Sequence, residues 1–100
     1  MITQFKIFES KELEIGDYVI MGTNNHYLID FIFNNIGQIV KQRNIEITVK
    51  YENVPPEVNK ILAYGGDKLN ERTFSIYLLL HHSKNKEDLE EILAAKKYNL

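Results

Sequence analysis

The stretch Ile45-Glu46-Ile47-Thr48-Val49-Lys50-Tyr51 decides the fold. Its odd positions are apolar and its even positions polar, the period-2 pattern of a strand with one face in a core and the other in water. The run before it, Gly37 to Gln42, also has strand character, and Arg43-Asn44 between the two is a tight-turn signal. Together they predict an antiparallel hairpin. Further upstream, Gly16-Asp17 marks a turn that opens Tyr18-Val19-Ile20-Met21, a third strand expected to pair antiparallel in the same sheet. Met1 to Phe8 carries β-formers and is expected to be a short edge strand.

Around this β core the pattern turns helical twice. His26, Asp30 and Asn34 recur at intervals of four, so a helix over His26–Asn34 would carry one narrow polar stripe in an otherwise apolar surface. Asn24 and Asn25 before it and Asn34, Asn35 and Gly37 after it are capping residues. Near the C-terminus, Leu89, Ile92 and Leu93 form an apolar stripe expected to dock on the core. Glu87, Asp88, Glu90 and Glu91 sit early and Lys96 and Lys97 late, as the helix dipole prefers. Asn85 with Asp88 resembles a capping box, and the helix is expected from about Lys86 to Lys97. Pro55-Pro56 ends the alternating strand, a helical turn or two is expected from Glu57 to Tyr64, and Thr73-Phe74 reads as a last short strand. Ser75 is placed to cap Ile76–Leu80, a run too short to assign by period.

The chain has 100 residues, which bounds it at one domain: a core over about 15–75 and a helical tail over about 85–98. Apolar residues make up 44% and charged residues 26%, the balance of a folded chain, and the formal net charge is −2. That mild acidity disfavours a dedicated duplex-DNA binder, which needs a basic face. There is no cysteine, which excludes disulfides, a thiol nucleophile and thiolate zinc sites. Gln4 and Lys6 interrupt the apolar residues of the first segment, which does not read as a secretory leader, and no stretch approaches the ~18 apolar residues of a membrane span. A cytoplasmic protein with no membrane association is expected.

The segments Gly16-Asp17-Tyr18-Val19-Ile20, Ile36-Gly37-Gln38-Ile39-Val40 and Ile47-Thr48-Val49-Lys50-Tyr51-Glu52 resemble the core of SH3-like barrels of the KOW type. The resemblance implies an α+β fold: a small SH3-like antiparallel β-barrel with an inserted helix and a C-terminal helix. The interval from Gly16 to Gly37 is longer than in those motifs because the segment His26–Asn34 is inserted. The chain also resembles short proteins encoded by bacteriophages and in environmental sequence. The matching stretches are the Gly16–Ile20 opening, Val49–Pro55, Ser83–Glu90 and Lys97-Tyr98-Asn99-Leu100. This second resemblance implies a phage accessory protein acting in a host cytoplasm, such as an antagonist of a host defence.

No motif carries catalytic chemistry. His81 and His82 are adjacent and point apart, and no His-Glu-x-x-His spacing is present. Ser75 and Ser83 lack a nucleophile elbow, and Gly65-Gly66 lacks the Lys-Ser/Thr of a phosphate loop. A non-enzymatic protein with no cofactor and no metal site is expected. Two surfaces remain as candidates. Tyr27, Phe31 and Phe33 give the segment 26–34 more apolar arc than one buried face needs, which points to a protein partner or a second copy of the chain, or else to a wedge buried inside the domain. Lys41, Arg43 and Lys50, with tyrosines nearby, form the alternative, a surface for nucleic acid or a nucleotide.

Overall fold

The computed structural model describes residues 13–62 and 68–98. The expected strand at Met1–Phe8 lies outside them. Five strands form one antiparallel sheet: β1 (Tyr18–Met21), β2 (Gly37–Arg43), β3 (Glu46–Lys50), β4 (Glu71–Ser75) and β5 (Leu79–Ser83). Among the described residues three helices accompany the sheet: α1 (Ile29–Phe33), α2 (Pro56–Leu62) and α3 (Lys86–Tyr98). The architecture is α+β, with strand order β4-β3-β2-β1-β5. The sheet is open: β4 pairs with β3 alone and β5 with β1 alone, so the described strands do not close into the expected barrel.

The hairpin at the centre of the sheet forms, but Ile45, read onto its core face, falls in the turn before β3 and is 54% exposed. Ile47 and Val49 are buried on one face, while Glu46 and Lys50 are exposed on the other. Arg43 pairs with Glu46 across a turn in which Asn44 adopts a φ of +50°, a left-handed conformation that asparagine tolerates. β2 departs from simple alternation. Ile39 lies opposite Val49 but Lys41 lies opposite Thr48, so Val40 is an extra residue, a β-bulge. A second bulge falls at Leu80, since Ile20 pairs with His81 and Met21 with Leu79.

The main core collects Val19 and Met21 of β1, Ile39, Ile47, Val49 and Phe74 of the sheet, Leu28 and Ile32 around α1, Leu62 of α2, and Tyr51. The helix at 26–34 is shorter than its sequence pattern predicts. Residues 26–28 are a turn in which Asn25 Oδ1 accepts the Tyr27 N–H at 2.9 Å, and only five residues are helical. Its C-terminal carbonyls are satisfied by amide side chains: Asn34 Nδ2 donates to Asp30 O at 2.7 Å and Asn35 Nδ2 to Phe31 O at 2.8 Å.

Ser75 caps a 3₁₀ turn (Ile76–Leu78), its Oγ accepting the Tyr77 N–H at 3.2 Å, and this turn carries the chain from β4 at one edge of the sheet to β5 at the other. The strand β5 has no counterpart among the elements read from the sequence. Arg72 Nη1 donates to the Ile61 and Leu62 carbonyls at 3.3 and 3.2 Å, closing the C-terminus of α2.

Asp17 is buried in its turn, where Oδ2 accepts the Glu14 N–H at 3.1 Å and Oδ1 accepts from Lys84 Nζ at 3.0 Å. Lys84 also donates to Glu14 Oε1 at 2.6 Å, so the approach to α3 is tied to the turn before β1. These hydrogen bonds, donated to Glu14 first and to Asp17 second in effect, raise the Lys84 ammonium above its ordinary 10.5.

The start of α3 differs from the expected capping box. Ser83 is the pivot: its Oγ donates to Asp88 Oδ2 at 2.6 Å and accepts the Asn85 N–H at 3.1 Å. The helix packs on β1 and β5. Of its apolar stripe only Leu89 is fully buried, while Ile92 and Leu93 are half-buried. We therefore predict that Leu89→Ala costs about 2–4 kcal/mol and Leu93→Ala about 1 kcal/mol or less. Urea melts of the two variants check the ranking, and equal effects would mean that α3 docks differently.

The Tyr51 hydroxyl is buried with no hydrogen-bond partner among the described residues. Burial pushes this phenol well above its ordinary 10, and the Arg72 charge only partly offsets the shift. The folded state holds this proton where the unfolded chain releases it, so the linked stability is intact below pH 10 and falls as pH rises beyond it. We predict that Tyr51→Phe is neutral to about 1 kcal/mol stabilising at pH 7, since an orphaned polar group is removed. It should also reduce the loss of stability between pH 10 and 11, leaving the share that Lys84 contributes. Denaturant melts at pH 7 and pH 11 test both parts.

Candidate functional site

Two surfaces bring the sequence-derived candidates together in different ways. On α1, Leu28 and Ile32 are fully buried, one turn apart, and hold the segment against the core. Phe31 faces the same way in part: its ring meets the Tyr51 ring edge-on at 5.3 Å and packs against the core cluster. Tyr27 is 75% exposed and Ile29 40% exposed. The segment is thus a wedge on one side and an exposed apolar surface on the other.

Phe33 belongs to the second side. It is half-buried, with Lys96 Nζ 5.4 Å from the ring centroid and 3.4 Å from its own carbonyl. The Phe33 and Leu80 side chains converge over Gly22, where a Cβ would lie 3.5 Å from Phe33 Cζ and 3.8 Å from Leu80 Cδ1. Leu80, at the β5 bulge, is 48% exposed. Tyr27, Phe31 and Phe33 are therefore not one patch. Phe31 serves the core, while Phe33 is joined by Leu80, which sequence reasoning missed because β5 has no alternation to mark its faces.

The second surface is the outer face of β2, β3 and β4. The bulge at Val40 turns Lys41 and Arg43 onto the same face as Thr48 and Glu46, their cross-strand partners. Lys50 is on this face too, opposite Glu71. A groove of about 460 Å³ crosses the face. Lys41, Arg43 and Lys68 supply its cations, and Glu46 and Glu71 its carboxylates. Thr48 and Thr73 form its floor, their hydroxyls 2.9 Å apart, and Ile15 adds an aliphatic wall. Lys50 is not part of the lining. Lys68 and the two threonines escape a reading by charge motif, because Lys68 is distant in sequence and a strand threonine is ordinary.

The histidines do not assemble a site. His26 and His81 are exposed and His82 half-buried. Among the described residues no group of three or more His, Asp or Glu side chains is placed to hold a metal ion, and no helix is long and apolar enough to cross a membrane. Comparison of the chain with protein-family models, with curated proteins and with solved structures returns no match.

Proposed function

We propose that this chain is a non-catalytic interaction module that binds a protein, either a second copy of itself or a host or viral partner. The observation that carries the reading is the division of the segment 26–34. Leu28 and Ile32 already anchor it fully, so Tyr27, Ile29 and Phe33 are apolar beyond what folding needs. Ile29 and Phe33 are one helical turn apart, and Leu80 extends their strip across Gly22 onto β5. Aromatic and aliphatic groups with a cation at the margin, here Lys96, are the composition of interface centres and their rims. The resemblance to phage-encoded proteins supports a role as an accessory protein in a host cytoplasm.

The test is sedimentation equilibrium and affinity capture from expressing cells, with Tyr27→Asp and Leu80→Asp beside the parent. Association, or a captured protein, that disappears in the variants while circular dichroism is unchanged supports the reading. A parent chain that remains monomeric at high concentration and captures nothing sensitive to these substitutions overturns it.

For the fold we propose an SH3-like barrel opened at its edges. Three features support it: the strand order β4-β3-β2-β1-β5, the 3₁₀ turn between β4 and β5, and bulges at Val40 and Leu80 of the kind that bend one sheet toward a barrel.

A second reading, binding of nucleic acid or a nucleotide, is favoured by one observation: the bulge brings Lys41 and Arg43 together with Lys68 on one groove. Glu46 and Glu71 share that groove and hold the charge of its described lining to one positive unit. Affinity for nucleic acid should accordingly be weak and lost with added salt. Tight, sequence-selective binding at physiological salt would promote this reading above the first.

A further inference from the structure

We infer that the groove over β2, β3 and β4 is a site for a phosphate group attached to a hydroxyl-bearing sugar. The inference rests on the second reading above and assigns its ligand chemistry. Lys41 and Arg43 are two residues apart on one strand face, a separation of about 7 Å between their backbones, so both side chains can close on one phosphate from the same side. Lys68 faces them from beyond β4 as a third cation. All three are exposed, and the ion pairs among the described residues use Lys84 and Lys86 instead. Among the described residues, then, no carboxylate holds these cations in an ion pair.

Two further features argue for more than an anion site. Thr48 is 8% exposed although it lies on the outer face, and its hydroxyl is paired with that of Thr73, so the floor of the groove is a polar surface already ordered. Glu46 and Glu71 would repel a bare phosphate. Beside the phosphate they are acceptors for hydroxyl groups, which is how a carboxylate recognises a vicinal diol. The groove volume, about 460 Å³, falls in the range that accommodates small ligands. Among the described residues no aromatic ring lines it, and the proposed contacts are to the phosphate and the sugar.

The shared chemistry has two sources, a free ribonucleotide or sugar phosphate and the backbone of single-stranded RNA. The experiment is a titration of ¹⁵N-labelled full chain with inorganic phosphate, ribose 5-phosphate, adenosine 5′-monophosphate and an eight-residue oligouridylate. It is repeated with Arg43→Gln, Glu71→Gln and Lys50→Gln, each first shown to keep the parent spectrum. The expected result is saturable shifts at Lys41, Arg43, Thr48 and Thr73, with ribose 5-phosphate binding more tightly than inorganic phosphate. Arg43→Gln should weaken ribose 5-phosphate about tenfold or more, the loss of one charge-assisted contact. Glu71→Gln should lessen the preference for the sugar phosphate over phosphate, and Lys50→Gln should change nothing.

Oligouridylate binding more tightly than the monophosphate, by these same groove shifts, assigns the site to a strand, and the reverse order assigns it to a free ligand. Shifts that saturate with none of the four probes overturn both the inference and the reading beneath it. Oligonucleotide binding that depends on Lys50 and is indifferent to Arg43 overturns the groove while leaving the reading intact.

Discussion

Gly37→Ala is expected to destabilise the domain by about 3 kcal/mol or more, a large part of the ~5–15 kcal/mol that holds a domain of this size together. Gly37 opens β2 opposite Val19 in β1 and is itself buried. A Cβ at this position would collide with Val49 Cγ1 and meet the Tyr51 ring at 3.0 and 3.1 Å. Val49 is in the middle of β3, and Tyr51 is fully buried against Phe31, so neither can retreat without repacking the core. Gly22 provides the contrast. A Cβ there makes ordinary contacts, at 3.5 Å from the Leu78 carbonyl and from Phe33. Gly22→Ala should therefore stay within about 1 kcal/mol of the parent, because the restriction of the unfolded chain offsets any small crowding. Urea denaturation of the two variants gives the comparison. A Gly37→Ala protein as stable as the parent would mean that the start of β2 is not packed against Val49 and Tyr51 as described.

Ile32→Asp is expected to leave the chain unfolded. Ile32 has no exposed surface and sits in the main core, so the substitution removes an aliphatic side chain and buries a carboxylate without a partner. Loss of the apolar contacts alone, as in Ile32→Ala, is worth about 2–5 kcal/mol, and the unpaired charge adds several more. Tyr27→Asp, five residues earlier, should shift stability by no more than about 0.5 kcal/mol because the ring is already in water. Phe31→Asp should behave like Ile32→Asp in direction, given its contacts with Tyr51 and the core. Thermal melts of the three variants divide the segment into its buried and exposed sides. A folded Ile32→Asp protein would overturn the packing of α1.

How far these features were legible in the sequence depends on the local rule each obeys. β3 follows period 2 at Glu46, Ile47, Val49 and Lys50, so Ile47 and Val49 were readable as core and Lys50 as surface. Ile45, read onto the core face, is instead exposed, and Thr48, read onto the outer face, is buried. The helix α3 was readable from Leu89 and its charge gradient, but the depth of burial was not, since Leu89 and Leu93 look alike in a stripe. β2 shows where such reading ends. Strict alternation places Lys41 and Arg43 on the face of Ile39, toward the core, and only the extra residue at Val40 turns them out to meet Thr48 and Glu46. A bulge is set by the partner strand and leaves no mark in its own composition. The same is true of β5, where Leu79-Leu80-His81-His82-Ser83 has no alternation and owes its strand conformation to pairing with β1. In the segment 26–34 the polar stripe was legible, but the apolar remainder divides between core and surface according to which side Tyr51 and β5 occupy, and that is tertiary information.

The position of β1 also governs how the chain can fold as it is made. β1 is one of the first described elements, yet its two neighbours in the sheet are β2 and β5, and β5 ends at Ser83. The hairpin β2–β3 can close soon after it is synthesised, with β4 following, because those pairings are local. β1 cannot be enclosed on both sides until roughly 60 further residues have been added, about 3–12 s at ordinary rates of translation. Throughout that interval Val19, Ile20 and Met21 hold one unfinished edge, which is when an unpaired apolar strand is open to the wrong partner. Amide-exchange labelling of stalled chains should therefore find the β2–β3 amides protected in chains that stop before Leu79. The Ile20 amide should become protected only in chains that extend beyond Ser83.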